Sequence, residues 1–291
     1  MLGKLLVELD NVGQAQERFE ECIRNRPHQP DAYIQLGKLY MSKNQYSEAI
    51  KVYKTYITIN DKDYFGHYNL AECYYNKKDY ENAIYEYKRT FELDQSSHES
   101  LFKLGTIYGE TEEDEKAIEC YRAVIQMKPD FADAYNSLGV VLSRNQRHVE
   151  ALAAFTGGIK ANPDSFRLYY NMGIVLFDLK RYEDAADALQ RAVELNPQDK
   201  DVYYYLGASL TEMKQYDDAI KAYGRALDDK VGEGELYYNI AAVYALMKKQ
   251  DIAIDNLKKA VSKDSGIKQE ICRNSVFDYM RTNSDFVELV S

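Results

Sequence analysis

Leu36-Gly37-Lys38-Leu39-Tyr40, followed by Ala49 and Tyr53, decides the fold, because the set returns every 34 residues. Leu36-Gly37 becomes Leu70-Ala71, Leu104-Gly105, Leu138-Gly139, Met172-Gly173, Leu206-Gly207 and Ile240-Ala241; one step back lies Leu2-Gly3. A second ladder, Ala15, Ala49, Ala83, Ala117, Ala151, Ala185, Ala219 and Ala253, is alanine at every rung. A third runs Phe19, Tyr53, Tyr87, Tyr121, Phe155, Leu189, Tyr223 and Leu257. A fourth, Tyr40, Tyr74, Tyr108, Leu142, Leu176, Leu210 and Tyr244, follows each Leu by four. No insertion disturbs the step.

Leu and Tyr four apart lie on one helical face. The Gly or Ala between them removes bulk, so a second helix can approach closely. The Ala on that second helix does the same from its side, and the aromatic four residues later fills the space beside it. One such hairpin has too little core to stand alone and must stack on its neighbours. Pro27, Pro129, Pro163 and Pro197 close four of the second helices. The period predicts first helices near 31–43, 65–77, 99–109, 133–145, 167–179, 201–213 and 235–247. Second helices are expected near 14–26, 47–60, 81–94, 115–127, 149–161, 183–195, 217–229 and 251–263.

The pattern resembles the tetratricopeptide repeat family: an aromatic, two residues, Leu-Gly, two residues, Tyr, then Ala, an aromatic and Pro. Tyr33, Tyr135, Tyr169, Tyr203 and Tyr237 hold the opening aromatic place. Asp61, Gln95, Val231 and Ser265 replace the closing proline, and His67 and Leu101 the opening aromatic. The resemblance covers about residues 1–265. It implies an all-α, right-handed superhelical solenoid of antiparallel helix pairs, with the first helix of each pair lining a concave groove. Residues 1–29 read as a partial first repeat, 30–265 as seven full repeats and 266–291 as C-terminal capping helices.

After Ser265 the ladder breaks, and Asn274-Ser275 occupies the next Leu-Gly slot. Ile267, Ile271, Phe277 and Met280 still form an apolar stripe, and Phe286, Leu289 and Val290 a shorter one, as an extra terminal helix would need. Two softer places are expected. Gly157-Gly158 lies inside a second helix, and Val231-Gly232-Glu233-Gly234 holds two glycines where a proline is usual.

With 47 acidic and 37 basic residues the net charge is −10, unlike the basic faces of nucleic-acid binders. No apolar run approaches the roughly 18 residues that span a bilayer, so no membrane insertion is expected. The N-terminus reads as the second half of a helix rather than a signal peptide. Cys22, Cys73, Cys120 and Cys272 form no CxxC pair and read as small buried apolar residues. The lack of a disulfide framework leans towards a reducing, cytoplasmic setting.

No catalytic, cofactor-binding or metal-ligating set is expected. His98-Glu99 lacks the second His of HExxH, and no P-loop is present. His28, His67, His98 and His148 fall at different phases of the repeat. Glu112, Glu113, Asp114 and Glu115 fit a solvated turn leading into a helix, with a docking patch for a basic partner as the sharper alternative.

The second stripe of the first helices carries the candidate site. Tyr170, Asn171, Ile174 and Phe177 recur as Tyr204, Tyr205 and Ala208, then as Tyr238, Asn239 and Ala242. A solvated face would be rich in Lys and Glu. Earlier hairpins are more polar there: Gln35 and Lys38; Tyr68, Asn69 and Glu72; Phe102, Lys103 and Thr106. Asn69, Asn171 and Asn239 share one phase, where family members often use Asn to grip an extended ligand. Amides donate to and accept from a peptide backbone, and tyrosines add contact area with few rotors. The plainer reading, packing between adjacent first helices, suits about half of these tyrosines.

A family subtype that binds the C-terminal carboxylate of heat-shock chaperones needs Lys and Arg where Glu99 and Lys103 stand, so that role is not expected. The expected function is a non-catalytic scaffold holding a peptide or helical segment of a protein partner. An architectural subunit of a multi-protein complex, self-association, and the recruiting arm of an enzyme whose catalytic domain lies elsewhere are the alternatives.

Overall fold

The computed structural model describes residues 12–227 and 232–291. The readings placed on residues 1–11, on Val231 and on the end of the helix expected over 217–229 fall wholly or partly outside them. Among the described residues there are seventeen α-helices, one 3₁₀ helix and no strand. Contacts divide the chain into two compact units, 1–141 and 142–291.

In the first unit the helices are α1 (Val12–Asn25), α2 (Pro30–Ser42), α3 (Tyr46–Ile59), α4 (Tyr64–Asn76), α5 (Tyr80–Leu93), α6 (His98–Glu110) and α7 (Asp114–Met127). The division falls inside α8 (Ala132–Arg144). The second unit holds α9 (His148–Ala161), α10 (Phe166–Asp178), α11 (Tyr182–Leu195), α12 (Lys200–Glu212), α13 (Tyr216–Ala226), α14 (Glu233–Leu246) and α15 (Gln250–Lys263). It ends in α16 (Ile267–Arg273), the 3₁₀ helix Ser275–Met280 and α17 (Ser284–Val290). Most fully described helices start within one or two residues of the expected places.

The ladders are the core. All eight alanine rungs are completely buried, and every residue of the Phe19-to-Leu257 ladder is at most 7% exposed. The small residue after each Leu has a more specific job than letting two backbones approach. A Cβ placed on Gly207 would stand 2.8 Å from the Tyr223 ring, and one on Gly173 2.6 Å from Leu189. Glycine there makes the seat for the ladder side chain of the partner helix.

Each hairpin turns the same way. Asn44, Lys78, Glu112, Gln146, Lys180, Lys214 and Lys248 all have φ between 57° and 61°. The residue after each returns its N–H five residues back, as Gln45 does to the Tyr40 carbonyl at 2.8 Å and Arg181 to that of Leu176 at 2.9 Å. This closes the first helix with a left-handed residue, the usual place for glycine. No glycine stands at any of the seven.

The turns between hairpins are equally regular. Asp63 donates to the Asn60 carbonyl, Phe131 to Lys128 and Asp199 to Asn196. Asp61 and Gln95 sit in the same turn as Pro129 and Pro197, so proline stiffens it but is not required.

The two places expected to be soft have different outcomes. Helix α9 runs unbroken through Gly157-Gly158. Helix α13 stops at Ala226, after 11 residues, where other second helices run for 14. Gly232 adopts φ 98°, open only to glycine, and a Cβ on Gly234 would meet Ile267 at 2.9 Å. One glycine therefore serves a turn and the other a close approach by the C-terminal segment.

That segment is divided into two short α-helices flanking a 3₁₀ helix. Asn274 breaks the stripe: its side chain accepts from the Val276 N–H, ending α16 and starting the 3₁₀ helix. The step of the array nevertheless survives, since α16 starts 34 residues after α14 (267 − 233) and α17 starts 34 after α15 (284 − 250). Ile267, Ile271, Phe277, Met280 and Phe286 are all buried against α14 and α15. The tail keeps the spacing of the array.

The cysteine reading holds for Cys73, which is buried, and its thiol is pushed up to about 12 by desolvation. It fails for Cys272, which is exposed at the end of α16.

The candidate binding face of the first helices

Helices α10, α12 and α14 present their second stripe on one side of the second unit. Tyr170 stacks on Phe166 one turn earlier, with centroids 6.0 Å apart. Its edge meets Tyr205 of α12 at 6.0 Å, and Tyr205 meets Tyr204 at 5.4 Å with the rings nearly perpendicular. Phe177 adds a further edge contact to Tyr205 at 6.2 Å. Edge-to-face geometry suits the ring quadrupole. The Tyr204 hydroxyl donates to Glu235 Oε1 of α14 at 2.7 Å. Desolvation and the Glu235 carboxylate together raise the Tyr204 phenol above its ordinary range, and Asn239 lies close enough to oppose that shift. Desolvation, with Asp201 nearby, pushes Tyr170 up to about 12.

These rings wall a cleft of ≈ 570 Å³ whose other lining includes Asp201, Glu233 and Glu235. Lys200 also lines it, but its ammonium donates to the Arg225 carbonyl at 3.0 Å, capping the early end of α13. Glu233 is buried and pairs with Lys263 at 2.6 Å.

The structure brings Tyr170, Tyr204 and Tyr205 together on this cleft, with Asn239 beside Tyr204. Asn171 and Ile174 are half-buried on α10, and Ala242 on α14. Tyr238 is set apart: its ring packs on Phe277 at 5.8 Å, and its oxygen accepts from Asn274 Nδ2 at 2.8 Å. Asn69 is also set apart, in the other unit. It is 6% exposed, and its amide donates to the Phe65 carbonyl of its own helix at 2.6 Å. The carboxylates Asp201 and Glu235 were missed by the sequence reading. Their signal was available, since both lie in the first turns of first helices whose next turns carry tyrosine.

On α2, α4 and α6 the corresponding face is cross-linked. Glu72 accepts from the Tyr87 hydroxyl and pairs with Lys103 at 3.0 Å. Lys103 also lies 5.4 Å over the Tyr75 ring, and the Tyr75 hydroxyl donates to Glu110 at 2.6 Å. Lys38 covers Phe65 at 5.1 Å.

A different set of clefts lies between successive second helices. One of ≈ 610 Å³ runs between α9 and α11 over α10, lined by Leu152, Thr156, Tyr169, Met172 and Ala188. Elsewhere, His67 Nδ1 lies 2.6 Å from Glu86 Oε2 in a buried pair, and His67 Nε2 has no hydrogen-bond partner. Glu113 pairs with Lys116, which holds its carboxyl below the usual range, while Asp114 and Glu115 occupy the first turn of α7. Among the described residues no group of three or more His, Cys, Asp or Glu could hold a metal ion. No described helix is long and apolar enough to cross a membrane.

Packed helical hairpins recurring every 34 residues define an α-solenoid. The chain belongs to the tetratricopeptide repeat family: models of that repeat match residues 6–65, 64–97, 106–146, 150–200, 170–235 and 234–264. Among solved structures it is similar to YrrB, described as a TPR protein with an unusual peptide-binding site. That likeness has 24% identity over 62% of this chain and 92% of that one, with a TM-score of 0.57. It is similar to MamA protein at 26% identity, covering 60% and 96%, with a TM-score of 0.56. The C-terminal part of a TPR repeat-containing protein from Cytophaga hutchinsonii aligns over 88% of this chain and 99% of its own, at 16% identity and a TM-score of 0.68. No curated protein matches the chain.

Proposed function

We propose that the protein is a non-catalytic scaffold that docks a peptide or helical segment of a partner on the first-helix face of α10, α12 and α14. The observation that carries this is the ≈ 570 Å³ cleft walled by Tyr170, Tyr204 and Tyr205. Solvated helix faces carry flexible charges, whereas this one holds tyrosine rings packed on one another. Rigid aromatics lose little entropy on contact and are common anchors of binding energy. The peptide-binding site named for YrrB is consistent with such use of the fold. The reading takes 1–29 as a partial repeat, 30–265 as seven full repeats and 266–291 as a cap.

An affinity pull-down comparing the native chain with a Tyr204→Ala/Tyr205→Ala variant tests it, followed by calorimetry with the partner recovered. The partner should be lost by the variant while helicity is retained. Asn171→Ala and Asn239→Ala should weaken an extended ligand further, by about 0.5–1.5 kcal/mol for each hydrogen bond lost. Retention by the variant, with loss when the exposed Ala153 and Thr156 are replaced by Glu, would favour the second reading. In that reading the protein is an architectural subunit docking through the cleft between α9 and α11.

A further inference from the structure

The cleft has a charge as well as a shape. Of the four charged groups lining it, three are carboxylates, Asp201, Glu233 and Glu235, and one is the ammonium of Lys200. Lys200 is turned onto the carbonyls of Arg225 and Leu227, at 3.0 and 3.5 Å, and so answers a helix end rather than the cleft. Glu233 already has Lys263. Asp201 and Glu235 are exposed, and among the described residues neither meets a Lys or Arg at ion-pair distance. Glu235 accepts one hydrogen bond from Tyr204 and keeps lone pairs on its other oxygen. Asp201 bears on Tyr170 and Tyr205, and Glu235 on Tyr204 and Tyr205. Among the described residues, two carboxylates without an ion pair thus stand beside three packed tyrosine rings.

We infer that the cleft takes an arginine side chain from a basic segment of the partner, the guanidinium lying against the tyrosine rings and donating to Asp201 and Glu235. The inference rests on the docking reading above and names its ligand class. A guanidinium is planar, weakly hydrated and rich in donors, so it meets a ring face and a carboxylate at once. An acidic segment would face two carboxylates that no Lys or Arg among the described residues pairs with. An aliphatic one would leave both desolvated without a partner. The net charge of −10 favours encounter with a basic partner at long range.

The test uses the full chain and three fluorescein-labelled octapeptides, identical except for a central pair that is Arg-Arg, Leu-Leu or Glu-Glu. Binding is read by fluorescence anisotropy. The arginine peptide should bind best and lose affinity as salt rises. Asp201→Asn and Glu235→Gln, which keep side-chain shape, should each weaken it, and the double variant by roughly tenfold. Circular dichroism and melting verify that the variants stay folded. Leucine-peptide binding that equals the arginine peptide's and is lost in Tyr205→Ala would overturn the arginine assignment while leaving the docking face standing. Arginine-peptide binding that survives Tyr205→Ala and both carboxylate changes would overturn the assignment and the docking face together. Binding by none of the three overturns the arginine assignment.

Discussion

The first helices α2, α4 and α6 and the first helices α10, α12 and α14 come from the same repeat yet use the same stripe in opposite ways. In the earlier set polar groups bind one another: Glu72 joins Tyr87 and Lys103, and Glu110 takes the Tyr75 hydroxyl. In the later set the stripe is ring against ring, and its carboxylates stand at the rim of a cleft. The ladder positions stay buried in both sets, although their residues differ. A repeat array can therefore vary its exposed stripe freely while its framework stays constant. Polar residues on such a stripe do not by themselves mark a binding site, since in the earlier set they serve as internal links.

The largest expected effect falls on the later set alone. Removing 266–291 uncovers the α14–α15 surface on which Ile267, Ile271, Phe277, Met280 and Phe286 are buried. Each such side chain contributes about 1.5–3 kcal/mol when fully buried. The shortened chain should melt earlier and associate in light scattering. Hydrogen exchange should show the loss in α14 and α15 while α4 and α5 keep their protection. Equal stability of the two chains would mean that the tail does not cap the array.

Glu72→Ala tests the earlier set. It leaves the largely buried Tyr87 hydroxyl and Lys103 without their acceptor. A loss of about 1–3 kcal/mol in thermal or denaturant unfolding is expected, with no change in partner binding. Loss of binding without loss of stability would move the docking face into the earlier set.

Alkali should separate the two halves. Burial raises the phenols of Tyr53 and Tyr87 above their ordinary value, and Glu72 adds to the effect on Tyr87. In the unfolded chain these groups ionise near pH ~10. Their folded values are the higher ones, so their contribution is complete below that pH and declines as pH rises beyond it. The second half has Leu189 and Leu257 in two of the same seats and a smaller shift at Tyr223, to about 12. Phenolate absorbance should therefore rise together with loss of exchange protection, first around α3 to α5. Simultaneous loss in both halves would show that net charge, not these tyrosines, governs alkaline unfolding.

The smallest effect is a gain. Lys180→Gly and Lys78→Gly, one in each half, relieve a left-handed backbone at φ 59° and 60°. Each should stabilise by no more than about 1 kcal/mol, because the greater freedom of glycine in the unfolded chain offsets part of the relief. A fall in melting midpoint would indicate that the lysine side chains hold the turn by contacts beyond its backbone.

Much of the fold was legible because a 34-residue step writes the same physical demand eight times. The unread parts share a cause: each depends on a partner that spacing does not name. The hairpin turns could not be read as left-handed, since lysine, not glycine, stands at four of the seven. Asn69 shares the phase of Asn171 and Asn239, yet its amide turns onto its own helix. Tyr238 matches Tyr170 and Tyr204 in register, and only the course of the tail shows that Phe277 covers it. The two rim carboxylates do not stand out in the sequence, because acids near a helix start have an ordinary electrostatic explanation.

The regular turns also bear on how the chain reaches its shape. Hydrogen bonds that join one hairpin to the next reach only about one repeat ahead, as from Tyr75 to Glu110 across 35 residues or from Asn274 to Tyr238 across 36. The native partners of any residue are therefore always close along the chain, however long the array. Loop closure is cheap in entropy at that range, and topologies of low contact order assemble quickly. Folding can start in whichever hairpin first closes its turn and spread in both directions by adding neighbours. The same locality means that a strained chain would yield from an end, hairpin by hairpin, rather than all at once.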